Sequence, residues 1–265
     1  MAKKRSKGDD LVVGRFGVMA TFKFILKNAG LFLPLLVVAL LVCALSLITS
    51  EDAMIIIIVV AMLILWLTSL FFARRVMAGE KVRFRDGLYN AMTPLVSSLM
   101  VFIVLVIQCI PIMLLIIAYS AAIETNLFGD MFYGSLFVLF AILMVALSVY
   151  LVSGTLMGLI AVSTPGMYPI EALKLSHELM VGRRLEFALR LLVMVMMVVG
   201  IFVVIVGPAV LISLAFYNIG GIEMPMLVPI ATTVAGCFAV TQSAVYLYIY
   251  YRKTLGMDVT LGKKK

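Results

Sequence analysis

Met54-Ile-Ile-Ile-Ile-Val-Val-Ala-Met-Leu-Ile-Leu-Trp-Leu-Thr-Ser-Leu-Phe-Phe-Ala73 contains no charged side chain; Glu51 and Asp52 precede it, and Arg74 and Arg75 follow it. At a rise of about 1.5 Å per residue, a helix of this length matches a bilayer hydrocarbon core about 30 Å thick. The flanking charges give it a direction, because Lys and Arg accumulate on the cytoplasmic side of a membrane. Working outward, the runs at 31–49, 94–118, 134–162, 187–216 and 226–250 are also long and apolar enough to cross. Six alternating spans place all 21 lysines and arginines on one side. Lys3, Lys4, Arg5, Lys7, Arg15, Lys23 and Lys27 lie in the N-terminal segment, and Arg74, Arg75, Lys81, Arg83 and Arg85 in the second loop. Lys174, Arg183, Arg184 and Arg190 lie in the fourth loop, and Arg252, Lys253, Lys263, Lys264 and Lys265 in the tail. The opposite side carries Glu51, Asp52, Glu124, Asp130 and Glu223. The sequence therefore predicts an all-α, multi-pass integral membrane protein with six transmembrane helices and both termini in the cytoplasm.

Composition agrees. Apolar residues make up 65% of the chain and mean hydropathy is +1.22, against about 45–50% apolar residues in soluble domains. The net charge of +8 needs no nucleic acid to explain it, since anionic lipid attracts each basic residue near the cytoplasmic face by about 1 kcal/mol. The opening residues lack the pattern of a cleaved signal peptide, so no processing is expected. The division is a basic cytoplasmic segment at 1–30, a six-helix domain at 31–251 and a basic tail at 252–265. No extramembrane stretch is long enough for an independent core. Short external loops, Thr49 to Ala53 and Tyr217 to Pro225, are expected to close spans one to two and five to six into hairpins.

The cytoplasmic segments read as amphipathic interfacial helices. Between Leu11 and Asn28, Arg15, Lys23 and Lys27 share one face, and Val18, Phe22 and Ile25 form the opposite one. Phe84 to Met92 does the same before Pro94, and Arg15, Lys23, Lys27, Arg83, Arg85, Arg183 and Arg184 are the residues expected at lipid headgroups. In the fourth loop, Pro169 suits a first helical turn and Glu171 the positive end of the dipole. There Ile170, Leu173, His177 and Met180 align on one face, Lys174 is spaced to pair with Glu178, and Gly182 is placed to end the helix. Three units of interfacial helix plus two spans suggest internal repetition, with Pro111-x-x-Leu114-Leu115-x-x-Ala118-Tyr119 resembling Pro208-x-x-Leu211-Ile212-x-x-Ala215-Phe216.

No ionisable residue falls at mid-depth in a span, which removes the usual basis of proton relays and voltage sensing. Sodium sites built from carbonyls and hydroxyls stay open, with Gln108, Ser148, Ser153, Thr155, Thr232, Thr233, Thr241 and Gln242 as the polar candidates, but the expectation for these residues is hydrogen bonding between helices. Pro111 and Pro208 kink spans three and five, making them with Gln108 and Gln242 the candidate cavity residues. Gly154-Thr-Leu-Met-Gly158 is a GxxxG pattern, suited to internal packing or a homodimer seam. Cys43, Cys109 and Cys237 lie in spans without metal or disulfide spacing and read as packing residues. Tyr246, Tyr248, Tyr250, Tyr251, Phe71 and Phe72 read as an interfacial aromatic belt.

Catalytic signals are thin. His177 is the sole histidine, and the zinc-protease, hydrolase-elbow and P-loop patterns are absent. No metal or cofactor is implied. Asp86, Glu171, His177, Glu178, Arg183 and Arg184 are the residues from which an interfacial lipid-modifying site could be built.

The run Pro165-Gly-Met-Tyr-Pro169-Ile-Glu-Ala172-Leu-Lys-Leu-Ser176-His-Glu-Leu179-Met-Val-Gly182-Arg-Arg resembles a recurrent pattern of YciC-like six-span proteins. It is also similar to the membrane domain attached to some glycerophosphodiester phosphodiesterases. There a proline-led loop enters an A-L-x-x-S-x-x-L-x-x-G helix, matched here by Ala172, Leu173, Ser176, Leu179 and Gly182. The resemblance implies a prokaryotic inner-membrane bundle and brings no catalytic residues, because the fused phosphodiesterase chemistry belongs to a separate soluble domain. The expected role is non-enzymatic: membrane organisation, handling of anionic lipid, or assembly of a membrane-protein partner or homodimer. The alternatives are a small-solute or lipid transporter and a lipid-modifying enzyme on the cytoplasmic face.

Overall fold

The computed structural model describes residues 9–46, 51–125, 131–164, 166–220 and 227–255. Its helices are α1 (Asp9–Lys27), α2 (Ala29–Ser46), α3 (Glu51–Met77), α4 (Phe84–Met92) and α5 (Leu95–Gln108), then α6 (Ile110–Glu124), α7 (Met131–Ala161), α8 (Pro169–Met180), α9 (Arg184–Gly220) and α10 (Leu227–Thr254). No strand occurs among the described residues. The protein is all-helical. α3, α7, α9 and α10 are each long and apolar enough to cross a membrane, and the broken pairs α1/α2 and α4/α5 raise the number to six if each is one span.

The expected third span, 94–118, is interrupted. The amide of Cys109 bonds to the carbonyls of both Leu105 and Val106 at 3.2 and 3.0 Å, and that of Met113 bonds to Cys109 at 3.1 Å. Pro111, in the first turn of α6, has no N–H to continue the ladder. Pro208 sits inside α9 without ending it, so the two prolines aligned by the suggested repeat differ locally.

The chain forms two compact units, one of residues 1–95 and 192–265 and the other of 96–191. In the first, α3 packs on α2, α4 and α10, and α1 lies against α10. Leu65, Leu67, Leu70, Phe72, Cys237, Ala244, Val245 and Leu247 are buried together with Phe32 and Leu35. Burial concentrates toward the Arg74 and Arg252 ends of α3 and α10; Ile55, Ile56 and Ile230, at the other ends, are exposed. Phe72 is central, its ring 5.9 Å from that of Phe32 and 6.4 Å from that of Phe84. α4 reaches Phe72 closely because it presents Gly87, where an added Cβ would lie 2.5 Å from Phe72 Cζ and nearer still to Cε1.

Asn28 makes a sharp corner. Its amide closes on Phe24 and Ile25, its side-chain Nδ2 donates to the Phe24 carbonyl at 2.8 Å, and its own carbonyl accepts from Leu31 at 2.9 Å. One residue thus ends α1 and begins α2, and the axes of Gly17–Lys27 and Ala29–Val42 differ by 89°. The protein-facing side of α1 is Thr21, Phe24 and Ile25, whereas Phe22 turns outward at 44% exposure and touches Phe238 edge-on at 6.2 Å. The expected apolar stripe through Phe22 is therefore displaced, because Thr21 tucks its hydroxyl onto the Gly17 carbonyl and buries with the adjacent turn.

Three further expectations change. Tyr246, Tyr248 and Tyr250 are buried rather than forming a belt, since α1 covers that end of α10; an added Cβ on Gly17 would lie 3.2 Å from the Tyr246 ring. Among the described residues α9 is not a main packing partner of α10, which uses its surface on α1, α2 and α3 instead. Of the span hydroxyls, Ser153, Thr155, Thr232, Thr233 and Thr241 bond within their own helices. Ser148 Oγ crosses to the Gln108 carbonyl at 3.0 Å, and Gln242 Nε2 donates to the Val18 carbonyl at 3.4 Å.

Candidate functional site

The second unit is built on the seam between α7 and α8. Tyr168 has extended geometry at φ −79° and ψ 151°, and Pro169 opens α8 as the sequence predicts. The buried face of α8 is Ala172, Ser176 and Met180, each at 0% exposure. This corrects the expected stripe: Ile170 is 68% exposed and His177 is exposed too. Small residues win because α8 lies against a surface without side chains. Ser176 Oγ donates to the Gly154 carbonyl at 2.7 Å. A Cβ added at Gly158 would lie 3.5 Å from the Ala172 carbonyl oxygen and 3.5 Å from Leu173 Cδ2. The GxxxG pattern is thus occupied within the chain by Ala172 and Ser176, two residues of the 165–184 motif.

Beyond α8 the chain reverses at Gly182, whose φ of +74° is in the left-handed region that favours glycine. The Arg183 amide bonds back to the Met180 carbonyl at 3.1 Å, and Phe187, fully buried, holds the first turn of α9. This reversal returns Arg184 toward α7. Its guanidinium carbon is 4.1 Å from the centroid of the Tyr150 ring, and its Nη2 is 3.3 Å from each ring nitrogen of His177. Arginine can only donate here, so whichever imidazole nitrogen lacks a proton accepts. Such a cation–aromatic contact is worth about 0.5–1 kcal/mol at an exposed site. Lys174 and Glu178 do not pair, in keeping with the small return on an exposed i,i+4 contact. The described ion pairs are Arg75 with Glu80 and Arg190 with Glu186 at 3.3 Å.

Behind this triad is a cleft of about 240 Å³, larger than the ~150 Å³ apolar cavity that can hold benzene. Val104, Leu151 and Leu173 supply apolar wall, and Tyr150, His177 and Arg184 supply its charged and aromatic part. Gln108 and Thr155 also line it. Gln108 Oε1 is buried and has no hydrogen-bond partner among the described residues. A buried acceptor without a donor costs about 1–3 kcal/mol, so it marks a place where a donor would be welcome.

The other expected site residues are distributed as follows. Arg183 is exposed beside Arg184; Lys23, Lys27, Arg83 and Arg85 are exposed in the first unit. Leu179 is half-buried. Pro165 and the side chain of Arg15 lie outside the described residues, as do the lysines at both chain ends. Gln108 and Pro111 belong to the second unit, Pro208 and Gln242 to the first. Asp86 lies in the first unit, and the exposed Glu171 and Glu178 do not line the cleft. No group of three or more His, Cys, Asp or Glu is placed to hold a metal among the described residues. Tyr150 was not singled out from sequence, although its spacing of four from Gly154 and eight from Gly158 puts all three on one helical face. Comparison with protein-family models, curated proteins and solved structures finds no match to this chain.

Proposed function

We propose that this is a six-span, YciC-like inner-membrane protein with both termini in the cytoplasm, that it is not an enzyme, and that it handles anionic lipid at its cytoplasmic face. The observation that carries this reading is the corner at Asn28. A helix turned by 89° from an apolar neighbour lies along the membrane surface when that neighbour crosses it. Among the described side chains of α1, those exposed are Met19, Phe22 and Leu26 together with Lys23 and Lys27. That mixture is what an interfacial helix uses, with apolar side chains entering the acyl boundary and lysines remaining at headgroup level. The exposed Arg83, Arg85 and Arg183 and the half-buried Arg184 extend the same chemistry to the second and fourth loops.

The test is a charge-reversed variant, Lys23→Glu, Lys27→Glu, Arg183→Glu and Arg184→Glu together, extracted in native nanodiscs. It should insert normally and retain several-fold less anionic lipid at low salt, with the difference from wild type shrinking as salt rises. Equal retention across the titration refutes the reading. A stoichiometric protein co-purifying in place of enriched lipid moves the role to assembly of that partner.

A further inference from the structure

We infer that the cleft lined by Gln108, Tyr150, His177 and Arg184 is a headgroup site for a monoanionic phosphodiester that carries a hydroxyl; this rests on the lipid-handling reading above. Among the described residues, no carboxylate lies within 4.0 Å of Arg184, and the nearby Glu186 is held by Arg190. Arg184 is ordered by the Tyr150 face and the His177 ring, which leaves donors of its planar fork for an oxyanion. A guanidinium suits phosphate because parallel N–H groups meet two oxygens. One arginine matches one negative charge, so a diester fits better than a monoester dianion.

The second element is Gln108. Gln108 lines the same cleft, and its Oε1 is a buried acceptor without a donor that a turn of the amide would bring to the cleft. An ammonium headgroup could donate to it, but the cleft has no carboxylate lining to balance a second cation near Arg184. A neutral hydroxyl donates without that penalty. The apolar wall of Val104, Leu151 and Leu173 suits the glyceryl portion. Exposed Ile107 and Leu147 provide apolar surface on the same two helices, α5 and α7, for acyl chains. The shared chemistry is that of a glycerol phosphodiester, whether lipid-borne or free.

The full chain is reconstituted in nanodiscs of phosphatidylcholine with equal phosphatidylglycerol and phosphatidylethanol, two diesters of equal charge of which only the first has headgroup hydroxyls. Lipids retained on release are counted by native mass spectrometry. Wild type should prefer phosphatidylglycerol several-fold. Arg184→Gln should lower its retention about tenfold, whereas Lys174→Gln, which removes a like charge from the exposed side of α8 outside the cleft, should lower it less than twofold. Gln108→Leu should keep anionic retention and lose the preference between the two diesters. Arg184→Lys, which keeps charge but not the fork, should fall between wild type and Arg184→Gln, so that a loss caused by charge alone is recognised.

Equal loss in Lys174→Gln and Arg184→Gln overturns the site in favour of a diffuse basic surface. An unchanged preference in Gln108→Leu overturns the hydroxyl assignment. Displacement of the lipid by millimolar glycerophosphoglycerol, the deacylated headgroup, assigns the cleft to a free solute and overturns its lipid occupancy. If wild type retains anionic lipid but Arg184→Gln and Gln108→Leu behave like it, only this site fails. If wild type retains no anionic lipid above phosphatidylcholine, the lipid-handling reading fails with it.

Discussion

Gly87→Ala is the substitution for which the structure gives the sharpest expectation. In an exposed helix interior alanine is more favourable than glycine by about 0.5–1 kcal/mol, so from helix propensity alone α4 should gain. The added methyl would, however, stand 2.5 Å from Cζ of Phe72 and closer to Cε1, far inside the 3.5–4.0 Å at which carbon atoms rest. Phe72 has no exposed surface and is surrounded by the rings of Phe32, Phe71 and Phe84 at 5.9–6.4 Å. It cannot swing aside without moving them. Overpacking of this kind costs about 1–3 kcal/mol, which leaves a net destabilisation of roughly 1–2 kcal/mol and a fall of several degrees in thermal midpoint. Trp66, the only tryptophan, lies on α3 in the same unit and provides the fluorescence readout in detergent. Phe72→Leu alone should destabilise by opening a void, but combined with Gly87→Ala it should cost clearly less than the sum of the two, as expected for neighbours that share space. A Gly87→Ala protein as stable as wild type, or strictly additive effects in the double variant, would refute the packing of α4 on Phe72.

The glycines of the GxxxG pattern should behave differently. Gly154→Ala and Gly158→Ala place a methyl at ordinary contact distances of 3.7 and 3.5 Å and should leave the thermal midpoint unchanged or raised, whereas Gly158→Leu should release α8, read as faster amide exchange in 169–180. Gln242→Leu removes an amide that is 1% exposed, makes one 3.4 Å bond and leaves Oε1 without a partner; stability should change by less than about 1 kcal/mol in either direction, since an apolar replacement also removes an unsatisfied acceptor. Cysteine placed at Arg183 should react with a membrane-impermeant thiol reagent only in inside-out vesicles and cysteine at Glu124 only in right-side-out ones, and the reverse pattern would invert the proposed topology.

The sequence reached the helices more readily than their partners. Long charge-free runs mark α3, α7, α9 and α10 directly, because bilayer thickness fixes the length of an uncharged helix. Pro169 and Gly182 mark the two ends of α8 for equally local reasons, and both act there as read. Which face of a helix packs is a different matter. In an apolar medium Leu and Ile gain little by facing protein rather than lipid, so the pairing of α7 with α8 is written in Gly154, Gly158, Ala172 and Ser176, residues that a hydrophobic stripe overlooks. The same blindness misplaced Phe22 and sent Tyr246 and Tyr248 outward as a belt. Arg184 and Gln108 were visible as separate candidates, one a headgroup ligand and one a cavity residue; that they line one cleft follows from the reversal at Gly182 and could not be read from spacing. α10 gave no sign that it would leave α9 for α3, since both neighbours are equally apolar.

The one-ended core of the first unit has a consequence for how the protein tolerates its surroundings. α3 and α10 approach at mid-helix, where a Cβ on Gly236 would lie 3.6 Å from Met62 Cε, and stay buried from there through Leu65, Leu70 and Phe72 on α3 and Ala244 and Leu247 on α10, while Ile55, Ile56 and Ile230 at their far ends are exposed. Two rods clamped at one end can open or close like tongs at little energetic expense. A bilayer that thins or thickens can be followed by a change of tilt beyond the clamp, so hydrophobic mismatch is absorbed at the Ile55 and Ile230 ends of these helices without disturbing the packing around Phe72.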